Sequence, residues 1–361
     1  MTKIGIIGCG NISNAYLKGA ARSDLISVKS VADINAEAAA AHAATYAVQA
    51  VGVDDLLADD DIEIVINLTV PLVHAEVSKS IIAAGKHVYS EKPLAATLQD
   101  GRAVVAAADA ASVRVGCAPD TFLGAGHQAC RQAIDDGRIG KVVGAAATFL
   151  SHGMEHWHPN PTFFFKPGGG PVLDMAPYYL TALINMIGPV TSVTSITSRG
   201  SETRTVSSEG PMTGKSIDVE VPTMVNAVLR FESGANVSLT TSWDVWQSER
   251  LPFEIYGSDG TMLVPDPNFF GGEPKVSDGK GDWQSLGIDG FAYGTANSKD
   301  GKGNDVADHR IIGLLDMAAA IRSDRPHRAS GAMALHALEI MEAMTRASEE
   351  GRHIVIESRP D

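Results

Sequence analysis

The segment Lys3-Ile4-Gly5-Ile6-Ile7, directly followed by Gly8-Cys9-Gly10-Asn11-Ile12-Ser13, carries the strongest structural signal in the chain. Its apolar run predicts a buried β-strand, and the residues after the glycines predict a helix. Two glycines between a strand and a helix permit a tight turn and let backbone N–H groups approach a phosphate at the helix N-terminus. Ser13 replaces the third glycine of the dinucleotide-binding pattern, a position that serves close helix–strand packing. The residues predicted to contact a dinucleotide here are Gly8, Gly10, Asn11 and Ile12.

Asp33 supplies the second half of this signature, because it follows the predicted strand Ile26–Ala32 and stands 23 residues after Gly10. A carboxylate in that place can accept hydrogen bonds from an adenosine ribose. Ile34 and Asn35 come next, without Lys or Arg, so a 2′-phosphate would meet the Asp33 charge with no cationic partner. The pattern therefore predicts NAD rather than NADP as the cofactor. The structural alternative is a plain glycine turn followed by an Asp cap for the next helix.

The first 120 residues alternate β-branched runs with alanine-rich amphipathic stretches. Strands separated by segments of helix length indicate a parallel sheet with helices on both faces. We therefore expect a doubly wound Rossmann domain over residues 1–120. The predicted strands are Lys3–Ile7, Ile26–Ala32, Ile62–Leu68, Lys86–Tyr89 and Val113–Gly116, and the predicted helices are Asn11–Ala21, Asn35–Tyr46, Pro71–Ala84 and Thr97–Ala110.

Residues 121–361 have a different rhythm, with many strands and few helices, which predicts an α+β domain with a large, mostly antiparallel open sheet. The prediction leaves open that the terminal helices of this region pack against the first domain. Two polar, glycine-rich stretches, 198–216 and 265–304, are predicted surface loops, and the second is long enough for either a lid or a poorly ordered segment. The predicted strands are Val142–Leu150, Val190–Thr197, Val219–Phe231, Ala235–Ser242, Pro252–Tyr256, Thr261–Val264 and His353–Glu357, and the predicted helices are Asp174–Ile187, Asp305–Ser323 and Gly331–Glu350.

Length and composition narrow the class of protein. The 361 residues exceed the roughly 250–300 that one hydrophobic core usually serves. Lys and Arg total 29 against 43 Asp and Glu, for a net charge of −14, and no basic block occurs, so neither nucleic acid nor an anionic membrane is an expected partner. No apolar run approaches the roughly 18 residues of a membrane span, and three cysteines without CxxC spacing suit a reducing compartment. These features predict a cytoplasmic protein.

Two groups of segments carry a resemblance to a known family. The first comprises Asn67–His74, Ala84–Val88 and Glu91–Pro93, and the second is the glycine run and helix start Gly168–Tyr178. Together they resemble the glucose-fructose oxidoreductase / inositol dehydrogenase / MocA (Gfo/Idh/MocA) family over essentially the whole chain. The resemblance implies an NAD-dependent dehydrogenase acting on a sugar, a sugar lactol or a cyclic polyol. It also implies a homodimer or homotetramer formed through the outer face of the second-domain sheet.

The resemblance further implies cofactor contacts outside the glycine turn. Thr69, Pro71 and His74 would lie along the cofactor cleft, and Glu91 and Lys92 would lie near the nicotinamide ribose. One more pair stands where relatives place a Trp and a basic residue near the nicotinamide. That pair is Trp157 and His158.

Oxidation of a carbinol needs a hydride acceptor, a base for the hydroxyl proton and a group that stabilises the developing oxyanion. By the resemblance, Lys92, Asp174 and Tyr178 are the catalytic candidates, and the last two share one face of a predicted helix. The family most often has His where this chain has Tyr178. Our hypothesis is that Tyr178 takes the substrate proton, that Lys92 stabilises the phenolate and the substrate oxygen, and that Asp174 positions Lys92 or a neighbouring hydroxyl. A solvated lysine, an N-cap aspartate and a core tyrosine are the structural alternatives.

Substrate hydroxyls also need polar partners. The predicted substrate-binding residues are Lys92, His156, His158, Asp174 and Tyr178, with Asn160, Tyr179 and His309 as further candidates. The same residues serve either direction of hydride transfer, so a keto-sugar reductase is one alternative. A non-catalytic NAD-binding sensor is the other, since its Rossmann half would look the same.

One further motif points to a different chemistry. His152-Gly153-Met154-Glu155-His156 fits the H-x-x-E-H pattern of some zinc peptidases, in which both His ligands and the Glu lie on a helix. Here a glycine stands inside the motif and Pro159 follows it, so a regular helix is not expected. We therefore predict no metal site.

Overall fold

The computed structural model describes residues 1–299 and 303–360. The chain divides into two compact units, which we call the first and the second unit. The first unit contains Met1–Asp120 and His309–Leu338, together with Pro360, and the second contains Thr121–Asp308 and Glu339–Arg359. Residues 300–302, which belong to the predicted lid or loop 265–304, lie outside the described residues.

The first unit is built on a six-stranded sheet in which every neighbouring pair is parallel. The strand order is β3-β2-β1-β4-β5-β6, which is the order of a doubly wound dinucleotide-binding sheet. This confirms the predicted Rossmann fold. Its strands are β1 (Thr2–Ile7), β2 (Ile26–Ala32), β3 (Gln49–Ala50), β4 (Ile64–Asn67), β5 (His87–Ser90) and β6 (Val115–Cys117), and its first helices are α1 (Ser13–Ala20), α2 (Ala36–Tyr46), α3 (Val53–Ala58), α4 (His74–Ala83) and α5 (Leu98–Ala111).

Local chemistry explains these elements. All four residues of β4 are buried, as expected for a parallel strand covered on both faces. Asn35 caps α2 by accepting hydrogen bonds from the N–H groups of Glu37 and Ala38. Thr97 caps α5 in the same way, through the N–H group of Asp100.

The second unit carries a nine-stranded sheet in the order β16-β15-β14-β13-β7-β12-β11-β8-β19. Only the β7–β12 pair is parallel, so the predicted mostly antiparallel sheet is confirmed. Its strands are β7 (Val142–Leu150), β8 (Val190–Ser198), β11 (Met224–Phe231), β12 (Asn236–Ser242), β13 (Phe253–Gly257), β14 (Thr261–Leu263), β15 (Lys275–Ser277), β16 (Gln284–Ser285) and β19 (Ile354–Val355), and two separate pairs are formed by β9 (Thr203–Thr205) with β10 (Ser216–Asp218) and by β17 (Ser298–Lys299) with β18 (Asp305–Val306).

The remaining helices are α6 (Ala125–Asp135), α7 (Gly170–Ile187), α8 (Ile312–Arg322) and α9 (Gly331–Glu350). Helix α7 packs on β7, β11 and β12 and is almost wholly buried. In β11, alternate side chains are buried and exposed, so one face of the large sheet is covered and the other is open. The unit boundary falls within α9, after Leu338.

Several predicted bounds are corrected. Helix α6 was not predicted, because its six buried residues include no large aliphatic or aromatic side chain; three of them are Ala125, Ala129 and Ala133. The predicted strand Val219–Phe231 begins only at Met224, directly after the Pro222-Thr223 dipeptide, since proline lacks the N–H needed for the ladder.

The predicted helix Asp305–Ser323 is wrong over its first seven residues. Residues 305–306 form a short strand, and α8 begins only at Ile312, after Ile311 with φ +105°. The predicted loops also contain structure, because β9, β15 and β16 lie within them. Part of the second loop is tightly packed, since a Cβ on Gly124 would lie 2.2 Å from the carbonyl oxygen of Phe270.

In the described part of the chain, no helix has both the length and the apolar character that a membrane span requires.

Candidate cofactor and catalytic sites

The glycine turn after β1 has the geometry that its sequence predicts. Gly8 has φ +105°, and a Cβ there would lie 2.6 Å from the carbonyl carbon and oxygen of Leu68. Only glycine fits this close crossing of two strand ends. A Cβ on Gly10 would have no atom within 4 Å, so open space lies in front of the turn. The turn therefore has room for a ligand group where its backbone is exposed.

Helix α1 begins at this turn with features that favour an anion. Its N-cap residue is Ile12, which makes no side-chain cap, and its first turn carries no acidic residue. Neither the N-cap residue nor the first turn of α1 therefore supplies a negative group to the positive end of the helix dipole. Ser13, at the third-glycine position, is fully buried, donates to the carbonyl oxygen of Gly10 at 2.6 Å and meets His42 Nε2 at 2.8 Å. These two contacts, one with the turn and one with α2, explain how a serine fits in place of the third glycine.

Asp33 holds the glycine turn and the start of α2 together. Its Oδ2 accepts a hydrogen bond from the Cys9 N–H at 2.7 Å, and its Oδ1 accepts one from the Asn35 N–H at 2.8 Å. Each oxygen keeps a second lone pair for a ligand hydroxyl. Burial, and after it the Asp33 charge, raise the pKa of the Cys9 thiol to about 11, so this thiol stays protonated at neutral pH.

The segment after β4 is tied down by a buried asparagine. Asn67 Oδ1 accepts from the Thr69 hydroxyl at 2.6 Å, and Asn67 Nδ2 donates to the His74 carbonyl oxygen at 2.9 Å. Pro71 opens a 3₁₀ turn, Pro71–Val73, that leads into α4. This network fixes Thr69 and Pro71 at the carboxyl edge of the sheet, where doubly wound folds place their ligands.

His74 is almost wholly buried, and both ring nitrogens face carbonyl oxygens. Nδ1 lies 2.7 Å from the oxygen of Pro93, and Nε2 lies 2.9 Å from the oxygen of Thr69. In the structure the ring therefore braces two loops at the sheet edge. His74 therefore fixes the positions of Thr69 and Pro93 at this edge.

Glu91 and Lys92 follow β5 at the same edge. Glu91 is 7% exposed, and its Oε1 accepts from the Tyr16 hydroxyl at 2.8 Å while its Oε2 accepts from the Lys92 N–H at 3.0 Å. The carboxylate thereby anchors the Lys92 backbone to α1. Lys92 is half-buried and is joined to Pro93 by a cis peptide bond.

Asp174 and Tyr178 lie one turn apart on α7. The helix begins at Gly170, four residues earlier than predicted, so Asp174 lies inside it and is not its N-cap. Gly169 is required just before the helix, because a Cβ there would lie 2.5 Å from the Phe163 carbonyl oxygen. Asp174 is half-buried and Tyr178 is 4% exposed.

The remaining predicted substrate residues have differing surroundings. Trp157 and His156 are exposed, and His158 packs edge-on against Trp157 and Phe164. Asn160 donates its N–H to His158 Nδ1 at 3.1 Å. Tyr179 is a core residue, 1% exposed between neighbouring aromatic rings, and His309 lies half-buried in the first unit.

Residues His152–His156 form no helix. Glu155 Oε1 instead accepts a hydrogen bond from Arg204 Nη1 at 3.0 Å. Across residues 1–299 and 303–360, no cluster of three or more His, Cys, Asp or Glu side chains is arranged to hold a metal ion.

Comparison with known proteins identifies the family. Residues 2–118 match the model of the oxidoreductase family NAD-binding Rossmann fold, and residues 127–263 match the GFO/IDH/MocA C-terminal domain. A 1,5-anhydro-D-fructose reductase of Ensifer adhaerens is 30% identical over 270 residues, which cover 73% of this chain and 75% of the relative. The chain belongs to the Gfo/Idh/MocA family.

Solved structures of similar fold agree with this assignment. An NAD-binding oxidoreductase from Klebsiella pneumoniae has a TM-score of 0.83 at 23% identity, with 99% of each chain covered. A levoglucosan dehydrogenase in complex with NADH has a TM-score of 0.81 at 20% identity, again with 99% of each chain covered. At this level of identity the likeness concerns the fold.

As a Gfo/Idh/MocA oxidoreductase, the chain binds NAD through its first unit. Its residues fit that group, because the turn leaves open space at Gly10 and the α1 N-terminus has no cap of its own. Asp33 has free lone pairs that could accept from ribose hydroxyls, and Ile34 beside it is fully exposed. No cation among the neighbours of Asp33 in sequence compensates a 2′-phosphate.

Two residues important to these sites, Tyr16 and Arg204, were not singled out by sequence, and a third, Asn67, was named only as the first residue of the family-like segment Asn67–His74. Tyr16 and Asn67 position Glu91 and Thr69, and Arg204 positions Glu155. Asn67 lies in the predicted strand Ile62–Leu68, two residues before Thr69, so its place was a usable signal. Tyr16 and Arg204 gave none, because their partners lie 75 and 49 positions away in the chain.

Proposed function

We propose that this Gfo/Idh/MocA oxidoreductase oxidises a secondary alcohol or hemiacetal carbon of a sugar, sugar lactol or cyclic polyol. The observation that carries the proposal is the firm anchoring of the Glu91–Lys92–Pro93 segment. A buried carboxylate ties the Lys92 backbone to the helix that begins at the dinucleotide turn. A purely structural surface lysine needs no such support.

NAD, when bound, takes up the hydride that leaves the carbinol carbon. The protein must then remove the hydroxyl proton and stabilise negative charge on the oxygen. We assign proton removal to Tyr178, and stabilisation of the phenolate and of the substrate oxygen to Lys92. Asp174, on the same face of α7 as Tyr178, positions Lys92 or a substrate hydroxyl.

The remaining predicted contacts complete the proposal. Gly8, Gly10, Asn11, Ile12 and Asp33 hold the dinucleotide in the first unit, with Thr69, Pro71, His74 and Glu91 along the same edge. In the second unit, Trp157 and His158 face the nicotinamide, and His156 and His158 bind substrate hydroxyls. The positions of Thr69 and Pro71 at the sheet edge support the first set.

The direction of hydride transfer is also part of the proposal, because the same residues serve oxidation and reduction. The 30% identical relative is named a reductase, whereas the levoglucosan protein is named a dehydrogenase. Incubation with NAD and levoglucosan, D-xylose or myo-inositol, and with NADH and 1,5-anhydro-D-fructose, measures both directions through NADH absorbance. Turnover in the first set supports a dehydrogenase, turnover only in the second supports a keto-sugar reductase, and binding of NAD without turnover supports a sensor.

We also propose a homodimer or homotetramer formed through the open face of the nine-stranded sheet. Ile196, Val228 and Val355 point to that face from three adjoining strands and are 75%, 49% and 69% exposed. Apolar side chains grouped on one open sheet face favour association. Light scattering during size-exclusion chromatography tests this, and a monomer at micromolar concentration would contradict it.

A further inference from the structure

The second unit contains a cavity of about 580 Å³ between the loop after β7, the strand β9 with its flanks, and the loop after β12. Its walls include His152, Glu155, Arg204 and Trp246, and also His156. The H-x-x-E-H motif therefore contributes three residues to one cavity without forming a helix. None of Lys92, Asp174 and Tyr178 lines it.

The floor of this cavity is a fixed polar network. Arg204 Nη1 donates to Glu155 Oε1 at 3.0 Å, and its Nη2 donates to the Trp243 carbonyl oxygen at 3.0 Å and to Asp244 Oδ1. Asp244 Oδ2 accepts a further hydrogen bond from the Thr223 hydroxyl at 2.6 Å. The side chains of Arg204 and Glu155 are 10% and 6% exposed. A network held from several elements in this way keeps its shape when a ligand binds.

Three polar atoms of residues that line the cavity have no hydrogen-bond partner among the described residues. They are Glu155 Oε2, Arg204 Nε and His152 Nδ1, and each is buried. A buried polar atom without a partner destabilises the protein, and a ligand that supplies the partner recovers that free energy. The set contains an anionic acceptor, a cationic donor and an imidazole nitrogen. Hydroxyl groups, which donate and accept at once, match such a mixed set.

An aromatic wall adds an apolar surface. Trp246 is 82% exposed and stacks on His152, with ring centroids 3.3 Å apart and planes 22° apart. The flat, apolar C–H faces of a sugar or cyclic polyol can pack against an exposed indole, while their hydroxyls reach polar groups at the edge.

The polar network to which the wall residues Glu155 and Arg204 belong disfavours anions, because it also includes Asp244 behind the wall. One guanidinium lies between two carboxylates, Glu155 and Asp244, so the network carries one net negative charge. Burial, and after it the Arg204 charge, lower the pKa of His152, so its imidazole is neutral at neutral pH and adds no cation. A phosphate or carboxylate ligand would meet this excess negative charge.

We propose that this cavity binds a neutral polyhydroxylated ring, a sugar or a cyclic polyol, independently of the cofactor. The ring stacks on Trp246, and its hydroxyls reach the side chains of Glu155 and Arg204 in the cavity wall. This is a binding site of the second unit, and it does not depend on the proposed hydride transfer.

Calorimetric titration of the cofactor-free full chain with levoglucosan, D-xylose, L-sorbose and myo-inositol tests the proposal. We expect at least one of them to bind, and Trp246→Ala to weaken that binding about tenfold or more. Glu155→Gln should weaken it similarly by removing the orphan acceptor. Since Trp246 is largely exposed, its replacement leaves folding intact, as a thermal melt would verify.

Trp283→Ala is the matched control, because this tryptophan lies between β15 and β16, outside the cavity, and is 44% exposed. It should leave the affinity unchanged. The proposal is overturned when no member of the panel binds, when Trp246→Ala and Glu155→Gln bind as tightly as the parent, or when Zn²⁺ or sulfate occupies the cavity instead. Because NADH formation is not measured in this titration, failure here is separate from failure of the proposed oxidation.

Discussion

At the residue scale, Asp120 shows how burial sets the charge of a side chain. Its Oδ2 accepts hydrogen bonds from the Ile311 and Gly313 N–H groups at 3.1 and 2.8 Å, and the residue is 3% exposed. Burial raises the pKa of this carboxyl to about 6 despite those hydrogen bonds, and the charge of Glu91 adds to the increase. In the unfolded chain the same group has its ordinary pKa near 4.

The Asp120 carboxyl therefore predicts a specific pH dependence of stability. The folded protein prefers the protonated acid, so its contribution is complete below pH 4 and is lost as the pH rises through about 6. The loss amounts to at most about 3 kcal/mol. Asp120→Asn keeps an acceptor for both N–H groups but cannot ionise. The urea midpoint of this variant should therefore increase relative to that of the parent as the pH rises from 4.5 to 7.5. Parallel pH profiles in the two proteins would contradict this explanation.

Asp33 predicts the choice of cofactor. Asp33→Ser removes the carboxylate that we propose binds the ribose, so the KM for NAD should rise about tenfold, the value of one charge-assisted hydrogen bond, while kcat changes little. The preference for NAD over NADP should narrow in the same variant. The change in KM for NAD and the preference for NAD over NADP are both obtained from initial rates measured with each dinucleotide. An unchanged KM, or a parent enzyme that prefers NADP, would show that Asp33 acts only as a turn residue.

Residues whose partners are close in sequence could be predicted, and those whose partners are distant could not. The turn at Gly8 and Gly10 follows from a strand, two glycines and a helix within one short segment, whereas the hydrogen bond of Asp33 with the Cys9 N–H joins residues 24 positions apart. Glu91 did not reveal its bond to Tyr16, 75 positions away, by any local pattern. The resemblance to a family placed His74 near the cofactor, but only the structure shows both ring nitrogens engaged by backbone oxygens.

At the element scale, caps determined how well boundaries could be predicted. The predicted bounds of α5 and α2 are accurate to within one residue, because Thr97 and Asn35 supply side-chain caps that the sequence displays. The start of α8 was misplaced, because Asp120, remote in sequence, supplies the acceptor for its first N–H groups. A periodic apolar pattern alone cannot locate such a start.

The cap of α5 gives a direct stability prediction. Thr97 Oγ1 accepts from the Asp100 N–H at 3.1 Å and also donates to Asp100 Oδ2 at 2.7 Å. Thr97→Ala should lower the free energy of unfolding by about 1 kcal/mol, whereas Thr97→Ser, which keeps the hydroxyl, should be close to the parent. Thermal melts of the three proteins provide the measurement. Equal melting temperatures for the Ala and Ser variants would show that the cap contributes nothing.

At the scale of the whole molecule, the change from alternating strands and helices to consecutive strands predicted a parallel sheet followed by a mostly antiparallel one. The membership of His309–Leu338 in the first unit did not follow from that change of rhythm. It depends on contacts such as Asp120 with Ile311, 191 positions apart, and the bridge between Gly116 and Ser330. Hydrogen bonds between residues so far apart in the chain produce no periodic pattern in the sequence.

The central claim, NAD-dependent hydride transfer supported by Lys92 and Tyr178, is tested most directly by kcat at saturating NAD and substrate. We predict that the parent forms NADH with at least one neutral sugar or polyol. Lys92→Met and Tyr178→Phe should each lower kcat by about a hundredfold or more while NAD still binds. Absence of NADH formation and of the reverse reaction in the parent, or near-parental kcat in both variants, would contradict the account.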